Sequence, residues 1–344
     1  MKLLNRFFLL IFLALIILSA FNWELISYAI SQARGQLYIV NNAMPITQVL
    51  NNDSFEDSVK QKVRLVQDVR SFAFHQLGLN KNENYTTYFD QKGRELMYVV
   101  TACKPYQLEA HEWEFPILGA FSYKGFFDED KAVEEAEKLE KQGLDVNIRN
   151  AGGWSTLGWF KDPILSGMLN RNEALLAELI IHELTHGTLF VKDSLRFNES
   201  LATFVGVEGT KRYLAEYFGD SSDITVRYNK HLEEKAIFQQ YVQNQAKNLQ
   251  QLYQSMNDSL SMSKREKLKN GFFTDFVQGI EALPLENKED LIAYYSTRKL
   301  NNTFFMRYIR YRGDIPKLQK MLQEDYNERL PDMIADLKKK FKSL

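Results

Sequence analysis

The pentad His182-Glu183-Leu184-Thr185-His186 constrains this chain more than any other stretch. It fits the pattern H-E-x-x-H. Its surroundings, ALLAELIIHELTHGTLF from Ala174 to Phe190, hold no proline and no glycine before Gly187, so they read as a largely buried helix. Residues four apart lie one turn apart on a helix face, and the imidazoles of His182 and His186 can therefore converge on one Zn²⁺. Glu183 is then placed to act as general base on a water at that ion. A tetrahedral catalytic zinc takes a third protein ligand and leaves its fourth position to water. Glu199, in the downstream segment FNESLATFVGVEG, is the candidate: the intervening chain is just long enough to leave one helix, turn and enter a second beside it. Gly206 and Gly209 leave a smooth strip where the second helix can press on the first. The competing reading is a buried polar cluster without metal, with Glu199 sitting in a helix first turn after an Asn198 N-cap.

The N-terminus has a different character. Lys2 and Arg6 precede an almost unbroken apolar run from Phe7 to Phe21, after which Asn22, Trp23 and Glu24 begin a more polar region. That run has the length of a signal-peptide core and becomes a membrane span if Trp23 and Ile26 extend it through the interface. Positive charge before it and none until Arg34 after it places the N-terminus inside and the remainder outside the cytoplasm. Cleavage after Ala20 leaves Leu18 where a small residue is preferred, which favours an uncleaved anchor. The expected organisation is therefore residues 1–26 as signal anchor or signal peptide and 27–344 as a single domain, exported and anchored in the cytoplasmic membrane. A net charge of −1 and the absence of clustered Lys/Arg with spaced aromatics exclude nucleic acid as a partner. Cys103 is the only cysteine, so no disulfide can form within one chain, and a buried inert thiol is its expected state.

Between these features the chain alternates in period. Helices are predicted over Ser27–Asn41 and Ser58–Leu77, the second presenting Val59, Val63, Val66, Val69 and Phe72 on one face and closed by Gly78. His75 reads as structural, and Asn80–Asn84 as polar loop. Leu96–Thr101, Phe115–Phe121 and Asp145–Arg149 read as strands of a small, mostly antiparallel sheet, with a charged helix over Lys131–Gln142. Tyr123-Lys124-Gly125 reads as a turn with a solvated lysine. Gly152–Phe160 reads as an edge strand able to pair with an extended peptide. In it Gly153, Trp154, Ser155 and Thr156 are the candidate substrate-binding residues, with Trp159 as a second pocket wall or, alternatively, both tryptophans turned into the core. Asp162-Pro163 turns the chain. After Glu199 the helix runs to Gly219. Long helices follow over Thr225–Met256 and Ser263–Ala282, then Asn287–Ser296 and Asn301–Tyr311, with one basic amphipathic helix over Pro316–Phe341.

The stretches SQARGQ, RSFAFHQLGL, FSYKGFFD, WSTLGWFKDPILS, HELTHGTLF, FNESLATFVG and LNNTFF, in this order, are similar to those of a bacterial family of predicted zinc aminopeptidases related to thermolysin-like metallopeptidases. The resemblance runs from about Ser31 to the end. It implies an α+β, predominantly helical fold with a thermolysin-like zinc-peptidase core, in which a small sheet precedes the HExxH helix and a glutamate-bearing helix. It also implies one zinc ion on His182, His186 and Glu199, with Glu183 catalytic. Two departures stand out: tyrosine is usual where Trp154 stands, and many members carry a lipidated cysteine after the apolar run that this chain lacks. The expected activity is removal of N-terminal residues from peptides. The alternatives are a membrane-anchored zinc endopeptidase and a non-catalytic binding or scaffold protein with a vestigial metal site. A second stabiliser for the tetrahedral oxyanion is expected among Tyr294, Tyr295, Tyr308, Tyr311 and His231.

Overall fold

Apolar side chains gather into three clusters that decide how the elements pack in the computed structural model, which describes residues 23–115, 119–150, 161–192, 194–257, 259–310 and 314–341. In chain order the first elements are α1 (Trp23–Asn42), β1 (Met44–Pro45), α2 (Ile46–Asn51), α3 (Asp57–His75), β2 (Thr87–Phe89) and β3 (Tyr98–Cys103). Next come β4 (Trp113–Phe115), β5 (Gly119–Phe121), β6 (Lys124–Phe126), α4 (Glu129–Lys141), β7 (Asp145–Asn150) and β8 (Ile164–Leu165). The remainder is helical: α5 (Glu173–His186), α6 (Leu195–Phe218), α7 (Asp223–Ser255), α8 (Met262–Gly279), α9 (Lys288–Ser296), α10 (Asn302–Arg310), α11 (Ile315–Tyr326) and α12 (Leu330–Lys340).

The first cluster is the one that positions the candidate site. The periodic face of α3 supplies Val63, Val66, Val69 and Phe72, α5 supplies Leu176, Ile180, Ile181 and Leu184, and α6 supplies Leu201, Phe204, Val205 and Leu214. Each such side chain contributes roughly 1.5–3 kcal/mol on burial, so this layer holds α5 between two partners along its length. Leu318, Leu322, Leu330 and Met333 of α11 and α12 close it from below. The second cluster joins α7, α8 and α10 through Val242, Leu249, Phe276 and Phe305. The third packs α4 on the sheet β6-β3-β7 through Val100, Phe126, Ala132 and Leu139.

That sheet is antiparallel throughout, with Val100 opposite Lys124 on one side and Ile148 on the other. It is the small sheet expected upstream of the HExxH helix, but it is not alone. β1, β2 and β8 form a separate sheet in which β2 and β8 run parallel, and β4 and β5 pair as an antiparallel ladder. Strands of two or three residues carry too little alternation to be read from sequence. Buried Asn302 joins the second cluster to the sheet region. Its Nδ2 donates to the carbonyls of Lys104 (2.8 Å) and Pro105 (3.1 Å), its Oδ1 accepts from the Tyr253 hydroxyl (2.7 Å), and its backbone N–H donates to Asp145 (3.0 Å).

Three local expectations are corrected. Lys124 is not a solvated turn residue: it opens β6, with Nζ 3.1 Å from Glu135 and 5.1 Å above the Tyr28 ring. The terminal helix is two helices, because Asn327 (φ 47°) and Glu328 (φ 62°) take left-handed backbone and turn the chain between α11 and α12. The helix expected over Ala174–Phe190 stops at His186. Cys103 is buried as expected, and burial pushes its thiol up to about 12, which keeps it unreactive. Among the described residues no helix is long and apolar enough to cross a membrane; the run Phe7–Phe21 lies outside them.

The strip of small residues on α6 is used as its spacing indicates. A Cβ on Gly206 would lie 3.1 Å from the Glu178 carbonyl oxygen and 3.3 Å from His182 Cβ, and one on Gly209 would lie 2.7 Å from the Leu77 side chain. Because the Gly206 neighbour is backbone, relief requires α5 and α6 to separate. Gly206→Val is therefore expected to cost about 1–3 kcal/mol, read as a lowered urea midpoint with an unchanged slope.

Candidate metal centre

Asn172 starts the helix that carries the histidines: its Oδ1 accepts from the Leu175 N–H at 2.9 Å, capping α5. Ala177, Ile180, Ile181 and Leu184 turn into the core, so His182 and His186 face α6 one turn apart. His186 is the last residue of α5, where the free carbonyl ends of the helix favour a nearby cation. Thr185 and Thr188 send their hydroxyls back to the carbonyls of Ile181 and Leu184, both at 2.8 Å, and finish the helix without solvent.

Asn198 is not an N-cap; Ser194 holds that position. Asn198 instead clamps the connection between the two helices, its Oδ1 accepting from Val191 N–H (2.9 Å) and its Nδ2 donating to Val191 O (2.8 Å). The clamp fixes where α6 begins and hence where Glu199 points. The Glu199 carboxylate reaches both rings, 3.8 Å from His182 Nε2 and 3.7 Å from His186 Nε2, while the two Nε2 atoms stand 3.2 Å apart. One ligand atom from each of His182, His186 and Glu199 lies within 4.8 Å of the others, and the three can hold a metal ion. His182 and Glu199 are about one-fifth exposed and His186 is 6% exposed, so an ion there is enclosed on one side and open on the other.

Electrostatics suits a cation. Burial holds the His182 imidazole down to about 4, and His186 is held well below its ordinary value by burial and by the ring of His182. Both rings are thus neutral at pH 7, the state a metal needs. The Nδ1 of His186 is buried without a hydrogen-bond partner, so its ring is oriented by packing, edge-on to His182 (4.8 Å between centroids) and against Phe190 (6.1 Å). Glu183 is buried beside the ligands. Burial, then the charges of Glu199 and Asp162, push its carboxyl up to about 8, against the pull of Arg171.

Asp162, Arg171 and Tyr85 carry no sequence signal that marks them as neighbours of the site. Asp162 reads as a turn, yet it is fully buried and holds the loop before β2: Tyr85 N–H donates to its carbonyl, Asn84 Nδ2 donates to its Oδ2 (3.3 Å), and its own N–H donates to Asn84 Oδ1 (3.2 Å). Tyr85 sits buried at φ 63°, its hydroxyl without a hydrogen-bond partner, and Glu183 and Asp162 add to burial in raising its pKa. The polar loop Asn80–Asn84 therefore docks on the end of α5, with Asn80 donating to Thr188 Oγ1 at 3.0 Å. No periodicity marks such a loop. His75, by contrast, is local as expected, its Nδ1 2.8 Å from the Ser71 carbonyl.

The oxyanion candidates fall in different surroundings. Tyr295 and Tyr308 pack on Phe238 in the second cluster, each at 6.0 Å between centroids, and Tyr294 stacks under Arg298 at 3.6 Å. His231 lines a cavity with Glu173, Arg227 and Tyr228, and the charges of Lys235 and Glu178 act on it as they do on His182. Tyr311 and the expected substrate residues Gly153, Trp154, Ser155 and Thr156 lie outside the described residues.

The buried groups set an unusual pH profile for the metal-free protein. His182 binds a proton more readily when unfolded, so it makes stability rise with pH between about 4 and 6.5; Glu183 binds one more readily when folded, so it makes stability fall between about 4.5 and 8. His186, held well below its ordinary value, adds to the rise from His182, so the histidines oppose Glu183 up to about pH 6.5 and above it only the fall remains. Metal-free protein should lose thermal stability from about pH 6.5 to about 8, and Glu183→Gln should remove that loss in differential scanning fluorimetry.

A family model described as "Putative aminopeptidase" matches residues 27–342. No curated protein and no solved structure matches the chain.

Proposed function

The chain belongs to the family described as "Putative aminopeptidase", and on that premise we propose that it is a zinc-dependent peptidase that removes residues from the N-terminus of peptides. The observation that carries this reading is the convergence of His182, His186 and Glu199 with Glu183 buried alongside. Donor set and spacing support zinc: nitrogens each about 2.0–2.1 Å from a tetrahedral ion lie about 3.3 Å apart, and the two Nε2 atoms stand 3.2 Å apart. The same ligand order across two adjacent helices supports kinship with thermolysin-like peptidases.

Zinc on these three residues would supply a Lewis acid that acidifies a water and polarises the scissile carbonyl. Glu183 takes the proton of the attacking water and returns it to the leaving amine. Burial, and after it the charges of Glu199 and Asp162, raise its proton affinity in the metal-free protein against the pull of Arg171, and a divalent cation bound beside it would lower that affinity and free the carboxylate to accept a proton.

One observation favours an endopeptidase instead. Glu178, one turn before His182, is taken up by Lys235 (3.1 Å) and the Tyr228 hydroxyl (2.8 Å), and so is not offered to a substrate's free amine. Under either reading the run Phe7–Phe21, preceded by Lys2 and Arg6, anchors the enzyme with residues 27–344 outside the cytoplasm. Full-length protein is expected in a membrane fraction that resists alkaline extraction.

Purified protein should bind one equivalent of zinc. Glu183→Gln should keep the zinc and lose at least about 100-fold in hydrolysis, whereas His186→Ala should lose both. Amino-acid amides and unblocked peptides should be cleaved and N-acetylated peptides refused. Cleavage of the acetylated peptide identifies an endopeptidase, and full activity in Glu183→Gln removes the general-base assignment.

A further inference from the structure

Apolar residues recur along α1 at Trp23, Ile26, Ile30, Ala33, Leu37 and Val40, with alternating steps of three and four. This is the a/d spacing of a two-stranded coiled coil. The helix meets the rest of the chain on its other side: the Tyr28 hydroxyl and Gln32 Nε2 both donate to the Gly125 carbonyl, Gly35 lies against the Phe127 ring, and Ile39 is buried in the first cluster. Those residues stand roughly 150° around the helix from the a/d line at 3.6 residues per turn. Four of the six a/d positions are exposed, Ala33 together with Trp23 (63%), Ile30 (43%) and Leu37 (47%), while Ile26 and Val40 are partly buried.

We propose that α1 pairs in parallel with α1 of a second copy of this chain along this seam. A membrane surface fits it less well. A helix lying on a membrane carries Lys and Arg on the polar face opposite its apolar one, whereas α1 has Arg34 and Glu24 as its charged residues and its opposite face is already packed on the body. The position of the preceding chain sets the direction. Residues 1–22 end one position before Trp23 and contain the run Phe7–Phe21, and in a parallel pair both runs leave from the same end of the coil. Two chains rooted in one membrane can therefore form the pair without either reversing. The seam is about 26 Å long, at the small end of specific interfaces, so pairing belongs to chains concentrated in a membrane or micelle. The proposal is independent of the hydrolase reading and rests on the reading of Phe7–Phe21 as a membrane anchor.

Cysteine cross-linking of the full-length chain in reconstituted vesicles tests it, since native Cys103 is buried. Leu37→Cys and Ile30→Cys should form interchain disulfides on mild oxidation. Tyr38→Cys, a neighbour that is 61% exposed but turned off the seam, should form roughly ten-fold less, because a disulfide needs the two Cα atoms within about 7 Å. The double change Ile30→Glu with Leu37→Glu should convert dimer to monomer by light scattering in micelles, with an unchanged circular dichroism spectrum. Equal cross-linking at positions 37 and 38, none at 30 and 37, or a dimer that survives the double change would overturn the proposal. So would quenching by brominated lipid of a fluorophore attached to the Leu37→Cys variant, or an intrachain cross-link from that variant's new thiol to residues 1–22.

Discussion

The close approach of α5 and α6 is the contact on which the rest depends. Two imidazoles come from one helix and a carboxylate from the other, so their separation is set by how near two backbones can lie. Gly206 permits that distance by leaving room for the Glu178 carbonyl and the His182 Cβ, and Gly209 does the same for Leu77 and Ile181. Asn198 fixes the register by tying the start of α6 to Val191. The core then presses on both helices from the α3 side. Packing brings the two neutral nitrogens to hydrogen-bonding distance, where one Nε2–H can donate to the other in the metal-free protein and a cation can take both lone pairs once that proton has left.

What is legible in the sequence is whatever repeats over short distances. The histidine spacing, the glutamate on the next helix and the glycine strip are all helical relationships, and each is found in place. Residues around Glu183 are not legible, because they arrive from elsewhere in the chain: Tyr85 and Asp162 meet across 77 positions, and no pattern in the sequence between them joins the two. Lys124 departs from expectation for a related reason. A lysine at a Tyr-Lys-Gly step looks solvated until α4, further along the chain, supplies Glu135. Asn327 breaks the terminal helix by adopting a conformation that many asparagines could take and few do.

The stretches that carry the family resemblance turn out to be points where elements meet rather than parts of the chemistry alone. SQARGQ supplies Gln32 and Gly35, which seat α1 on Gly125 and Phe127 of the FSYKGFFD stretch. Thus one motif is the socket of another, and their joint presence fixes α1 with its apolar line turned away from the body. The HELTH and NES stretches meet in the same sense at the ligands. A chain organised like this uses most of its motif residues for docking, and the reacting groups are a small subset of them.

Asn302, in LNNTFF, holds a different kind of vulnerability. Its amide nitrogen faces the carbonyl oxygens of Lys104 and Pro105 while its oxygen accepts from Tyr253. Slow hydrolysis of that amide, an ordinary event in ageing asparagines, would replace a two-proton donor with an anion directed at two oxygens and set close to Asp145. Repulsion would then weaken the join between the second cluster and the sheet, a change that begins away from α5 and α6.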